Sequence, residues 1–327
     1  MKFRIYVTRD FDHMSQVAAN IVVGKITDFV PTEQKPYLNL ILPTGNSPTG
    51  MYNLLAERQD TFDPSVIVSH NLDEYVGLPG DTPEQRREHE QSYTRFMREH
   101  LFDKVAFHKW HIPGGCEIDQ ERLERDLKKH QNDLSAYKFV GIQDGKQGLA
   151  ITIPKKSSSN YLGWIKSQIL DSYIASIREN GRVDLTIVGV GGRGHIAFHE
   201  SGIPLDLEML LVQLDKNTIG NAVEDGQFLS VEQSPKYAIS LGAGFVYNPD
   251  YNNGVLLLAN GERKTGPIAE ALLGDVTDEV PISGCQEFAK HRKVIWVIDE
   301  TVAEGFLNKK PELEKLVEKG IQIADLR

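Results

Sequence analysis

Residues 183–200 read VDLTIVGVGGRGHIAFHE, and few arrangements accommodate that order. The run Leu-Thr-Ile-Val at 185–188 lacks polar alternation, so it reads as a strand buried on both faces. It leads directly into Gly189, Gly191, Gly192 and Gly194, which allow positive φ or close approach of backbone to a ligand. His195, His199 and Glu200 follow at once. A doubly buried strand needs helices on either side, and sheets of that kind present their sites beyond the carboxyl ends of the strands.

The remaining apolar runs repeat the pattern. Strands are expected at 3–7, 37–42, 66–69, 149–153, 209–214, 237–241, 254–259 and 294–298. Amphipathic or solvated helices are expected at about 14–29, from Pro48, and at 84–99, 119–137, 161–177, 264–273 and 313–319. This alternation predicts an α/β fold: an open, mainly parallel, doubly wound sheet with helices on both faces, Rossmann-like in architecture. The rhythm breaks only at about 139–161, where a turn signal and a Lys-Ser-rich loop intervene, and then resumes. A single domain over 1–327 with an insertion at about 139–161 is therefore expected.

The net charge of −10 and the lack of any basic run of five residues argue against a nucleic-acid surface. No apolar run approaches the ~20 residues that span a bilayer, and the first residues lack the marks of a signal peptide. A cytoplasmic protein with neither membrane nor nucleic-acid partner is expected. Cys116 and Cys285 are too few for a disulfide framework or a Cys-rich zinc site, and read as small buried hydrophobes.

Three further stretches carry chemistry. Thr44, Gly45, Asn46 and Ser47 lie between a strand and a helix, the arrangement that binds anions through free N–H groups, and equally that of an ordinary β–α turn. Asp73 and Glu74 follow a strand end, where carboxylates do acid–base work, cap a helix or bind metal; capping is the commonest fate and metal is the least supported. Lys264 alone reads as a solvated lysine at a helix start.

Gly189-x-Gly191-x-x-Gly194 matches the dinucleotide fingerprint, with Asp215 near the position of a ribose-binding acid. That motif needs a crossover helix after the third glycine, in a unit of some 30 residues. Gly202-Ile-Pro204 interrupts too early for one, and the fingerprint gives no reason for His195, His199 and Glu200.

The chain resembles the glucosamine-6-phosphate deaminase/isomerase family. Leu-Pro-Thr-Gly-Asn-Ser-Pro at 42–48 resembles its phosphate loop, and Asn-Leu-Asp-Glu-Tyr-Val-Gly-Leu-Pro at 71–79 its Asp-Glu-Tyr segment. Gly-Gly-Arg-Gly-His-Ile-Ala-Phe-His-Glu at 191–200 and Pro-Lys-Tyr-Ala-Ile-Ser-Leu-Gly-Ala-Gly at 235–244 resemble later motifs in the same order. The resemblance implies that family's fold and a metal-free, cofactor-free aldose–ketose isomerisation of an amino-sugar phosphate, with hydrolytic loss of ammonia. It implies that Asp73 moves a proton between C2 and C1, and that His195, oriented by Glu200, assists ring opening. Thr44, Gly45, Asn46, Ser47 and Lys264 would hold the phosphate. Self-assembly into a homo-oligomer is left open.

Five positions depart from the family. Arg193 stands where the family has an aspartate, two residues before the histidine, and a cation there should disfavour protonated His195. His199 replaces an asparagine. Glu224 falls where the family has a phosphate-binding arginine in a lid helix. Leu210 and Val212 fall where hexameric members carry basic allosteric residues, so that site is expected to be absent. Arg193 is expected to pair with Glu224 or Glu200, or to contact an anionic group of the substrate. Three functions compete: an amino-sugar phosphate isomerase/deaminase, a sugar-phosphate-binding protein without turnover, and a dinucleotide enzyme. The first is favoured.

Overall fold

A computed structural model describes residues 2–145 and 147–327; Met1, and Lys146 within the expected insertion, lie outside the described residues. Among the described residues there are thirteen strands: β1 (Phe3–Thr8), β2 (Leu38–Leu42), β3 (Ile67–Asn71), β4 (Asp73–Val76), β5 (Lys109–His111), β6 (Lys138–Val140), β7 (Leu149–Thr152), β8 (Leu185–Val188), β9 (Met209–Gln213), β10 (Tyr237–Leu241), β11 (Gly254–Ala259), β12 (Lys293–Asp299) and β13 (Ile321–Asp325).

Eight of them form one sheet in the order β13-β1-β12-β11-β8-β2-β3-β5, and every pairing in it is parallel. The expected doubly wound sheet is thus observed. Its strands alternate between two cores. Leu38, Leu40 and Leu42 of β2 face helices Phe11–Thr27 and Asn46–Glu57 through Met14, Ala18, Val22, Met51 and Leu55. Ile41 faces the opposite core, where Ile177, Ile268, Leu272 and Trp296 pack. Each fully buried aliphatic side chain contributes roughly 1.5–3 kcal/mol relative to exposure, and both faces of the sheet are covered in this way. The edge strands β5 and β13, absent from the sequence expectation, are short and carry exposed residues, as edges that resist further pairing do.

A second sheet differs from expectation. β9 and β10 do not join the parallel sheet; they form an antiparallel sheet in the order β4-β10-β9-β7-β6. Both of its faces are also buried, one against Leu123, Tyr161 and Ile165, the other against Phe198, Leu214 and Phe228. Its strands therefore read in sequence like those of the first sheet. β6 and β7, from the expected insertion, extend this sheet at its edge. Leu210 and Val212 point into its core and are buried.

The two sheets meet at Leu72. The chain passes from β3 straight into β4, with the Leu72 amide donating to Leu42 O at 3.0 Å and the Leu241 amide donating to Leu72 O at 2.7 Å. Asp73 accordingly opens β4 rather than occupying a loop. The helix expected at 84–99 is split into Pro83–Arg87 and Tyr93–Met97. Cys116 and Cys285 are buried free thiols. Among the described residues no helix is long and apolar enough to cross a membrane.

Candidate active site

β2 and β8 are neighbours from which the chain departs in opposite directions, toward β3 and β5 on one side and toward β11 and β12 on the other. The loops beyond such a switch point diverge and leave a crevice. Here it is a cavity of about 480 Å³, lined by the segments that follow β2, β3, β8 and β11 and by helix Lys216–Glu224.

One end is suited to an anion. Thr44, Gly45, Asn46 and Ser47 line it at the start of helix Asn46–Glu57, whose N-cap, Gly45, has no side chain to claim the first amides. The buried Tyr52 hydroxyl donates to Pro43 O at 2.6 Å, and Ser47 Oγ donates to Asn260 Oδ1 at 2.7 Å, which fixes the loop against the end of β11. Lys264 lines the same end. Burial, then the neighbouring Arg263, lower its pKa below the ordinary lysine value. Among the described residues its ammonium forms no ion pair.

The other end holds the titratable groups. Asp73 lines the cavity at 5% exposure, and no described side chain or amide donates a hydrogen bond to its carboxylate. Burial, and then the adjacent Glu74, raise its pKa well above the ordinary range. Glu74 points the other way. It accepts from Tyr93 N, Thr94 N and Thr94 Oγ1 at 3.0 Å each and from Ser92 Oγ at 3.1 Å. The paired carboxylates therefore divide the alternatives left open by sequence: Glu74 caps helix Tyr93–Met97, while Asp73 is left facing the cavity.

His195 Nδ1 lies 3.2 Å from Glu200 Oε2. A Cβ on Gly191 would fall 1.7 Å from His195 Nε2, so only glycine lets the imidazole lie over that backbone. Glu200 is almost fully buried; it also accepts from Thr218 Oγ1 at 3.0 Å and from the Asp215 amide at 3.2 Å. Gly148, just before β7, packs against this residue: a Cβ there would lie 2.6 Å from Glu200 Cγ. Ala197, between His195 and Phe198, has a φ of 48°, a strained left-handed value that cavity-lining segments often carry.

Arg193 is not among the cavity-lining residues. It pairs with neither Glu224 nor Glu200: its Nη1 lies 2.9 Å from Asp215 Oδ2. Asp215, weighed above as a ribose acid, instead caps helix Lys216–Glu224 by accepting from Asn217 N at 2.6 Å. Glu224 is exposed and off the cavity. His199 is fully buried away from the site; its Nδ1 accepts from Ala243 N, and its Nε2 donates to Ile203 O, both at 3.0 Å.

Sequence reasoning missed Thr218, Asn221, Asp225, Gln227, Tyr93 and Arg263, all of which line the cavity. The polar positions 218, 221 and 225 share one helix face by their spacing, a stripe visible in the sequence but silent about what it faces.

No protein-family profile matches the chain. A glucosamine-6-phosphate deaminase of Clostridium perfringens (strain SM101 / Type A) is 30% identical over 304 residues, covering 92% of this chain and 98% of its own. One from Clostridioides difficile (strain 630) is 30% identical over 305 residues, covering 92% and 95%. Among solved structures, a monomeric glucosamine-6-phosphate deaminase superposes with a TM-score of 0.65 at 23% identity, over 92% of this chain and 99% of its own. A 6-phosphogluconolactonase from Leishmania guyanensis gives 0.56 at 18% identity, over 93% and 99%. The two structures bear on the fold; the full-length identity of the two relatives bears on descent. The chain belongs to the glucosamine-6-phosphate deaminase family of enzymes.

Proposed function

We propose that this protein is an aldose–ketose isomerase and deaminase that converts glucosamine 6-phosphate, or a close relative, and one water into fructose 6-phosphate and ammonia. His195, oriented by Glu200, protonates the ring oxygen as the C1–ring-oxygen bond breaks and the C1 hydroxyl gives up its proton. Asp73 then removes the C2 proton; the freed electron pair forms the C1–C2 double bond and O1 takes up a proton. Return of the proton to C1 lets the nitrogen lone pair form a C2–N double bond. Water adds at C2 and ammonia leaves. Each step is a proton transfer or a hydration, so the reading calls for no metal or cofactor. A buried carboxylate that accepts no hydrogen bond is more basic than an ordinary one, which suits it to take a carbon-bound proton. We also read residues 1–327 as one domain, and a phosphorylated sugar as fitting a cytoplasmic location.

The observation that carries this reading is that Asp73 and His195 line one cavity with Thr44, Gly45, Asn46, Ser47 and Lys264. The test is proton NMR of glucosamine 6-phosphate with the enzyme in heavy water. Loss of the C2 proton signal with formation of ammonium is expected. Exchange without ammonium would make it an isomerase of a related phosphosugar.

A second reading, sugar-phosphate binding without turnover, is favoured by one observation: Arg193, two residues before His195, places a cation on Asp215, whose amide in turn donates to Glu200. Tight binding with no proton exchange across a panel of epimers selects it.

A further inference from the structure

The phosphate end of the cavity contains an ion pair that no sequence motif announces. Arg263, beside Lys264 at the end of β11, extends to Asp225, the C-cap of helix Lys216–Glu224. Its Nη2 lies 2.8 Å from Asp225 Oδ1 and 3.1 Å from Oδ2. Both side chains line the cavity with Lys264 and Ser47.

Resting on the phosphosugar reading above, we propose that Arg263 is the second cation of the phosphate subsite, and that Asp225 is a positioning residue holding its guanidinium across the mouth. A phosphomonoester carries about −1.5 to −2 charges near neutral pH, and Lys264 offers one positive charge. Helix Lys216–Glu224 faces the cavity with Thr218, Asn221 and its C-cap Asp225, while Glu224 is exposed, so it adds no cation to the lining. The two walls are opposite in charge: the helix end carries the carboxylate and the segment after β11 the guanidinium. Asp225 occupies only Nη2. Nε and Nη1 form no hydrogen bond among the described residues, so the planar fork retains donors for a phosphate while the pair stays formed. Without Arg263, Asp225 would repel the anion.

The same helix is tethered at its far end, where Thr218 Oγ1 donates to Glu200 Oε2. Seven residues, about 10 Å of helix axis, separate the tether at the titratable end from the tether at the phosphate end. The Arg263–Asp225 pair is thus the contact of this helix at the phosphate end.

The test is isothermal titration of the full-length protein with inorganic phosphate. Arg263→Gln should weaken phosphate binding about tenfold or more, the usual worth of a charged hydrogen bond, with Arg263→Lys recovering part of the loss. Asp225→Asn should weaken binding by a few-fold in the wild-type background and strengthen it in Arg263→Gln, where the unpaired carboxylate repels the anion, a reversal of sign that a merely structural role would not produce. With glucosamine 6-phosphate, Arg263→Gln should raise KM more than it lowers kcat. Wild-type phosphate affinity in Arg263→Gln overturns the assignment of Arg263, and tighter binding in Asp225→Asn overturns the positioning role. The two proposals fail differently. Arg263-dependent phosphate binding without ammonium release sinks the reaction; ammonium release with a KM indifferent to Arg263→Gln sinks the clamp.

Discussion

Arg193 Nη1 and Asp215 Oδ2 lie 2.9 Å apart, and the amide of Asp215 donates to Glu200, the residue that holds His195. The Arg193 cation is thus matched by a carboxylate from the start of the next helix. The site keeps a linked set of charges, with its parts supplied from different positions.

The pair makes Arg193→Asp a costly substitution. The new carboxylate would face Asp215, which is 1% exposed and would lose the cation paired with it. A cost of about 1–3 kcal/mol is expected, read by urea denaturation. Adding Asp215→Asn should recover much of it. An Arg193→Asp protein as stable as wild type would show the pair to be energetically idle.

Asp73→Asn separates function from stability. As the proposed base, Asp73 should be needed for C2 proton exchange, with a loss of about 10²–10⁴-fold. Its raised pKa has the opposite effect on folding. Where the folded state binds a proton that the unfolded state has released, stability falls as pH rises. That window opens near the ordinary aspartate value and extends up through the raised one. Asp73→Asn should therefore be at least as stable as wild type at pH 8, with the gap closing in acid. Denaturant midpoints at several pH values check it; a variant markedly less stable at pH 8 would refute the desolvation argument.

Much of the fold was legible because doubly buried strands leave an unmistakable mark: 185–188, 237–241 and 254–259 are strands at those bounds. What could not be read was partnership. Met209–Gln213 and Tyr237–Leu241 are as apolar as the parallel strands, and apolarity does not say which neighbour a strand will choose. The site divides similarly. Thr44, Asp73 and His195 stand beside strand ends, where local pattern points to a cavity. Asp225 and Arg263 meet only through tertiary structure, from segments 38 positions apart. Arg193 was read as a charge in search of an anion, and the answer, Asp215, had been considered only as a ribose ligand.

Glu74 should prove structural where Asp73 is functional. Its carboxylate accepts from three groups of the Tyr93–Met97 helix start and from Ser92. Glu74→Gln turns one acceptor into a donor facing other donors, while Glu74→Ala leaves buried amides unpaired. Losses of roughly 1–3 kcal/mol per stranded group are typical, so Glu74→Ala should be the more damaging. Thermal unfolding measures both. Comparable destabilisation by Asp73→Asn would contradict the division of roles.

His199 should make the fold sensitive to acid. Its Nδ1 accepts from Ala243 N and its Nε2 donates to Ile203 O, so the neutral ring satisfies both partners and a proton on Nδ1 would break one of them. Burial lowers its pKa to about 4, and lowers that of His70, another buried imidazole, to about 3. In the unfolded chain both titrate near 6.5. Between those values the unfolded state binds more protons, so stability is complete above about pH 6.5 and is lost as pH falls toward the folded values. For His199 alone the loss reaches on the order of 3 kcal/mol by pH 4. Asparagine also offers one acceptor and one donor but does not titrate. His199→Asn should therefore flatten the stability profile between pH 7 and 4, whereas His199→Ala should lower stability at every pH by stranding the Ala243 amide. Denaturant titrations of the three proteins across that range distinguish the cases, and an unchanged acid slope in His199→Asn would assign the acid sensitivity elsewhere, with His70 the next residue to replace.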